Sequence, residues 1–211
     1  MACPAAIRRP AYIPQVIPRR LASVLTAGLV LAACTSSTAG PSTAPSFNPA
    51  AACAGADVQR APGAYPELEA ALPSTLAALK PTTRESGRYC ARATLGTLLD
   101  AGISEAHFGA ATWDHGGGKA VSLVLFEASG LTAPMLFESY QSAAAATSKV
   151  HDIRTAPVTL NGKPGQRMDL LNSDSFQAIL VWPGDRPGRV RVVISADLTN
   201  DVIQAAVDAF H

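Results

Sequence analysis

The 211-residue chain lacks an apolar run long enough to cross a bilayer as a helix. Its most hydrophobic stretch, residues 21–33, holds 13 residues without a charge, whereas a helix that spans the hydrocarbon needs about 20. A run of 13 residues is typical of the hydrophobic region of a secretory signal. The preceding segment supports this interpretation, because it carries four arginines, the last of them Arg20, and no acidic residue.

Clusters of basic residues are also missing after Arg20. Removal of residues 1–33 would take away four of the 17 basic residues and none of the 16 acidic ones, which leaves a net charge of −3. Because binding to phosphate backbones needs clustered lysine and arginine, we expect no nucleic-acid partner.

The chain lacks the common catalytic and ligand-binding motifs. It contains no G-x-S-x-G, H-E-x-x-H, Walker loop, G-x-G-x-x-G or S-x-x-K, and none of its four histidines is followed by another after four residues. Its cysteines form no C-x-x-C motif, which argues against a redox or metal pair. We therefore predict no catalytic, cofactor-binding or metal residues and no cofactor.

One motif keeps an enzymatic alternative open. His115 and the three glycines that follow it match the HGGG loop of some lipases and esterases, whose backbone N–H groups face an oxyanion. That chemistry also needs a nucleophile elbow, which the sequence does not contain. The alternative hypothesis is therefore an envelope hydrolase with an unrecognised site near the His115 turn, and it requires a nucleophile close to His115 or His151.

The apolar run ends in Leu31-Ala32-Ala33-Cys34, which resembles the lipobox of bacterial lipoproteins. In that family a diacylglyceryl group is attached to the cysteine thiol and a peptidase then cuts before the cysteine. The resemblance implies a signal peptide over residues 1–33, fatty acyl chains such as palmitate on Cys34, and anchoring to the cell membrane, facing outside the cytoplasm. A simple secreted protein and an uncleaved signal anchor are the alternatives.

The residues after the signal divide into a tether and a domain. Residues 34–52 consist mainly of serine, threonine, alanine and proline without any charge, which is typical of a flexible linker. Residues 53–211 are long enough for one domain with its own core. Cys53 and Cys90 remain as a pair in an oxidising compartment, so we predict a disulfide between them.

The hydrophobic patterns predict an α+β domain with helices packed on a mainly antiparallel sheet of about six strands, in the order α-α-ββ-α-ββββ-α. Residues 80–88 read as a loop, and the alternation of Arg189 and Arg191 with valines predicts one solvated face on the last strand. The third helix carries a stripe of Leu136, Tyr140, Ala143 and Thr147. The predicted helices cover residues 65–72, 93–101, 131–150 and 201–210, and the predicted strands cover 107–113, 120–126, 154–160, 166–171, 175–182 and 189–195.

Two short motifs, Leu72-Pro73 and Gly162-Lys163, resemble those of an uncharacterised family of secreted bacterial proteins, and the element order is similar to that of PsbP-like folds. Neither resemblance supplies an activity. The predicted function is therefore a non-enzymatic binding or interaction module at the bacterial cell envelope, whose partner is an envelope protein, a glycan or a lipid.

Overall fold

The computed structural model describes residues 48–53, 58–172 and 175–211. The predicted signal peptide, Cys34 and most of the predicted tether therefore lie outside the described residues. Within the described part of the chain, no helix combines the length and the apolar character that a membrane span requires.

Eight strands form one sheet in which every neighbouring pair is antiparallel, in the order β1-β2-β3-β4-β8-β7-β6-β5. Two four-stranded meanders are thus joined where β4 pairs with β8. The α+β prediction is confirmed, but the expected number of about six strands is wrong. The strands are β1 (Val58–Ala61), β2 (Thr83–Tyr89), β3 (Ala106–Gly116), β4 (Lys119–Glu127), β5 (Val150–Leu160), β6 (Lys163–Asn172), β7 (Phe176–Pro183) and β8 (Arg189–Ala196).

Residues 80–88, which the sequence predicted as a loop, mostly form β2. The loop prediction is wrong because the side chains that β2 buries are polar. Ser86 accepts a 2.7 Å hydrogen bond from the Tyr65 backbone N–H. Arg84 donates to the carbonyl of Glu69 at 2.6 Å, and Arg88 is 3% exposed. A strand that buries polar residues shows no apolar alternation, so its sequence resembles that of a loop.

The helices are α1 (Pro66–Ala70), α2 (Arg92–Leu95), α3 (Thr97–Asp100), α4 (Ala133–Ala145) and α5 (Asn200–Ala209). The helix predicted over residues 93–101 is divided into α2 and α3 at Gly96, whose φ of 51° interrupts the helical path. Helix α4 ends five residues before the predicted boundary, because Val150 pairs with Asn172 in the sheet instead. The turn at Asn161-Gly162 is confirmed, and both residues have the positive φ of a type I′ turn.

Helices cover both faces of the sheet, so the domain has three layers. On one face α1 and α5 close a core that includes Leu68, Trp113 and Phe210. On the other face α2, α3 and α4 close a second core that includes Phe108 and Leu136. Strands in the middle of the sheet are therefore buried on both sides.

The solvated face predicted for β8 is wrong for the same reason. The side chains of Arg189 and Arg191 are each only 9% exposed. Arg189 forms a 2.6 Å ion pair with Glu127, and the Arg191 guanidinium lies 5.6 Å from the centre of the Phe210 ring. Buried charges need such partners, so this polar alternation indicates ion pairing and not contact with water.

Two interactions fix the first described residues to β2. The predicted disulfide between Cys53 and Cys90 is present, with 6.0 Å between the Cα atoms. Beside it, the Arg88 guanidinium donates to the carbonyl of Ala51 at 2.7 Å and to the side chain of Gln59 at 2.8 Å. Residues 51–53 are thus held at a fixed position near the end of β2.

Replacing both Cys53 and Cys90 with serine should lower the free energy of unfolding by about 2–4 kcal/mol, because the unfolded chain would regain the freedom that the closed loop removes. Urea denaturation of the mature chain, followed by tryptophan fluorescence, measures this difference. The unsubstituted chain unfolded with and without a thiol reductant is the matched control. Equal unfolding midpoints for the variant and the oxidised parent would contradict the expectation.

Candidate functional site: the cavities beside α4

The described residues offer no metal site and no assembled catalytic group at the HGGG turn. No group of three or more histidine, cysteine, aspartate or glutamate side chains suited to a metal ion occurs among them. Strand β3 continues to Gly116, and His115 is exposed on it without a hydrogen bond to any described residue. His151 is exposed at the beginning of β5. The glycines of the motif serve the hairpin, since Gly116, Gly117 and Gly118 all have positive φ.

Two cavities lie beside α4. The first has a volume of about 270 Å³ and lies between α4, α2, α3 and the sheet. The second has a volume of about 490 Å³ and lies between the C-terminal half of α4 and strands β5 to β7. Tyr140 and Ala143 line both cavities, so the two spaces adjoin along one side of the helix.

The wall that faces these cavities is the stripe predicted for this helix. Leu136, Tyr140 and Ala143 line the first cavity, and Tyr140, Ala143 and Thr147 line the second. Leu136 is buried, whereas Tyr140 is only partly buried and Ala143 is exposed. The stripe therefore packs against the core at its N-terminal end and borders open space further along the helix.

The first cavity is mainly apolar and contains two phenol groups. Leu98, Phe126 and Leu136 supply much of its surface. Burial raises the pKa of Tyr140, and the nearby Tyr89 raises it further. Burial likewise raises the pKa of Tyr89. Both phenols are therefore neutral at physiological pH, and neither donates a hydrogen bond to a described residue.

The second cavity is more polar at its outer end. Asn172, Ser175 and Gln177 line it together with the apolar Leu170. Lys149 is the one charged residue among the described residues that line this cavity. Apolar and hydroxyl groups thus line both cavities, and the second cavity adds two amides and one ammonium group.

A third cavity, of about 630 Å³, lies at the end of the sheet beside the turn between β7 and β8, and Arg186 and Arg189 line it. Both arginines pair with Glu127, at 2.6 Å in each case. Burial acts to raise the pKa of Glu127, but the hydrogen bonds from the two arginines hold it below its usual value. Asp185, which also lines this cavity, pairs with Arg189 at 3.4 Å, so two carboxylates balance the two arginines and this cavity offers less to a ligand than the pair beside α4.

Apart from the stripe of α4, the structure does not bring the residues singled out in the sequence to the cavities beside α4. Cys34 lies outside the described residues, and His115, near the end of β3, lines neither of these cavities. The disulfide partner Cys90 directly follows Tyr89, a cavity residue that lies at the end of the misassigned β2. No protein-family model matches the chain, and no curated protein matches it either.

Replacing Tyr140 with phenylalanine should reduce the loss of stability at high pH. Tyrosine in an unfolded chain ionises near pH 10, whereas burial raises the pKa of Tyr140 in the folded protein. The stability contributed by this group is therefore present below pH 10 and falls as the pH rises, by about 1.4 kcal/mol per unit. Urea denaturation at pH 8 and pH 11 compares the two chains. An equal loss of stability between pH 8 and pH 11 in the parent and the variant would contradict the raised pKa of Tyr140.

Proposed function

We propose that the protein is a lipid-anchored binding module outside the cytoplasm, and that it holds a small amphipathic molecule in the two cavities beside α4. The observation that carries the proposal is the shared wall at Tyr140 and Ala143, which borders both the first cavity and the second, more polar one. The volumes of about 270 and 490 Å³ are of the order expected for ligand pockets, about 300–1,000 Å³.

The lining supports a ligand with two unlike ends. An apolar group in the first cavity would contact Leu98 and Phe126, and the phenols of Tyr89 and Tyr140 could donate hydrogen bonds to a polar atom beside that group. Its polar end would reach the second cavity, where Gln177 can donate or accept and Lys149 can pair with a negative group. This arrangement favours a lipid-like partner over a purely polar glycan, because most of the surface of both cavities is apolar.

The location outside the cytoplasm rests on the sequence and on the disulfide. The lipobox at residues 31–34 favours lipidation of Cys34, and two acyl chains suffice for stable membrane attachment. The Cys53–Cys90 bond is of the kind that persists in oxidising compartments. The intervening residues 34–52 would let the domain sample ligands at some distance from the bilayer.

The anchor is tested by replacing Cys34 with alanine. We expect the variant to stay as an unprocessed precursor without acyl label, because the thiol that receives the lipid is gone. Metabolic labelling with a fatty acid, followed by mass spectrometry of the intact chain, measures both effects. Replacement of Ser36 with alanine is the matched control and should leave maturation unchanged. Normal maturation of the Cys34 variant would overturn the lipoprotein assignment.

The ligand site is tested by replacing Ala143 with tryptophan, whose larger side chain would extend into the cavities that Ala143 lines. Native mass spectrometry of the full chain extracted from its own membrane should show a bound small molecule on the parent, and the variant should lose it. Replacement of Gln141 with tryptophan is the matched control, because Gln141 is an exposed residue of α4 that lines neither cavity. This control variant should retain the bound molecule.

Two results would reject this site. One is a parent chain that carries no additional mass after gentle extraction. The other is an equal occupancy of the Ala143 and Gln141 variants, since a molecule bound elsewhere would not respond to the filled cavity. Comparable unfolding midpoints for the two variants ensure that loss of the ligand does not reflect loss of the fold.

A further inference from the structure

Strand β5 forms one edge of the sheet, and its only neighbouring strand among the described residues is β6. It is 11 residues long, and most of its side chains are exposed. In an antiparallel pair, the backbone groups of alternate residues point away from the neighbouring strand. An edge of this length therefore presents a row of N–H and C=O groups that a further strand could use.

The usable part of this edge is short and has defined limits. The register of β5 against β6 shifts between Val150 and Asp152, which marks a bulge at His151. At the other side, Pro157 has no N–H to donate. A strand that pairs with this edge must therefore centre on the residues between these two points, and Ile153 lies among them.

The charges that flank Ile153 are complementary to those of a second, antiparallel copy of the same strand. Asp152 and Arg154 flank it, carry opposite charges and pair with each other at 2.8 Å, and their side chains are 43% and 80% exposed. When two copies of an antiparallel strand pair across a two-fold axis at Ile153, Asp152 of each copy lies opposite Arg154 of the other. Opposite residues in such a pair have Cβ atoms about 4.5–5.5 Å apart, so the Asp152–Arg154 pairs of the two copies would join into one network of four alternating charges.

Neighbouring registers are disfavoured by the same charges. An axis at Asp152 would place two aspartates opposite each other, and an axis at Arg154 would do the same with two arginines. Like charges directly opposite destabilise a strand pair. With the axis at Ile153, by contrast, the two isoleucines meet on the face where Ile153 already packs against the second core. Of these three registers, only the one centred on Ile153 therefore opposes unlike charges.

We propose that β5 is a homodimerisation edge, at which a second copy of this chain pairs antiparallel about Ile153 and continues the sheet across both molecules. The proposal is independent of the ligand and of the lipid anchor. It commits to a second copy because the self-complementary charges of Asp152 and Arg154 match this strand to itself.

Replacing Ile153 with cysteine tests the register in the full chain, expressed in its own cell envelope. Facing Cα atoms would lie within the 4.4–6.8 Å of a disulfide, so mild oxidation should give a covalent dimer on a non-reducing gel. Replacement of Thr155 with cysteine is the matched control, because its two copies would be about 14 Å apart along the strands. The parent chain controls for its native cysteines.

Charge reversal in the Ile153→Cys chain tests what sets the register. Arg154→Asp would oppose two pairs of aspartates, and it should lower the yield of covalent dimer about tenfold or more. Adding Asp152→Arg to that variant restores opposite charges across the axis, and the yield should recover. The same exchange at the exposed pair of Arg92 and Asp100 should have no effect.

Four results would overturn the proposal. The first two are the absence of a covalent dimer from Ile153→Cys and an equal yield of dimer from Thr155→Cys. The third is a double charge variant whose dimer yield stays as low as that of the single variant. The fourth is a disulfide between Ile153→Cys and a different protein. The last result would show that the edge pairs with another partner.

Discussion

The pairing of β4 with β8 is the contact on which the rest of the domain depends, because it alone joins the two meanders into one sheet. The register runs from Ala120 opposite Ala196 to Glu127 opposite Arg189, where the strand pair ends in an ion pair. Both strands are buried on both faces. Leu123 of β4 and Val193 of β8 contribute to one core, and the residues next to them, Val124 and Val192, contribute to the other. Helices on both sides are therefore necessary, and neither layer can be removed without exposing apolar strands.

The cavities follow from this topology. The chain must cross from β4, in the middle of the sheet, to β5 at its edge, a distance of four strand spacings or about 19 Å. Helix α4, with 13 residues, is about 20 Å long and so just spans this distance. A single helix across five strands covers only a stripe of the sheet, and α2 and α3 are too short to fill the remaining surface. The spaces beside Tyr140 are what remains uncovered.

The sequence predicted the parts of the domain in which burial and hydrophobicity coincide. Strand β4 and the hairpin at Asn161-Gly162 were found because their patterns and turn residues agree with their positions. Strand β2 was missed because the inward-facing Arg84, Ser86 and Arg88 are polar. They form hydrogen bonds with backbone groups of other segments of the chain. The candidate site was predictable on α4, whose stripe was recognised, but not at Tyr89, because a cavity forms between elements and leaves no periodic signal.

The two edges of the sheet differ in how they are held. Strand β1 has four residues, too few for backbone hydrogen bonds alone to hold it firmly, and it approaches so closely that a Cβ on Gly87 would lie 2.2 Å from the carbonyl oxygen of Gln59. Arg88 and the disulfide supply the additional attachment at this edge. Strand β5, with 11 residues, needs no such attachment. No strand of the described residues pairs with its outer side, so the accessible Asp152–Arg154 pair is the feature that a second strand would meet there.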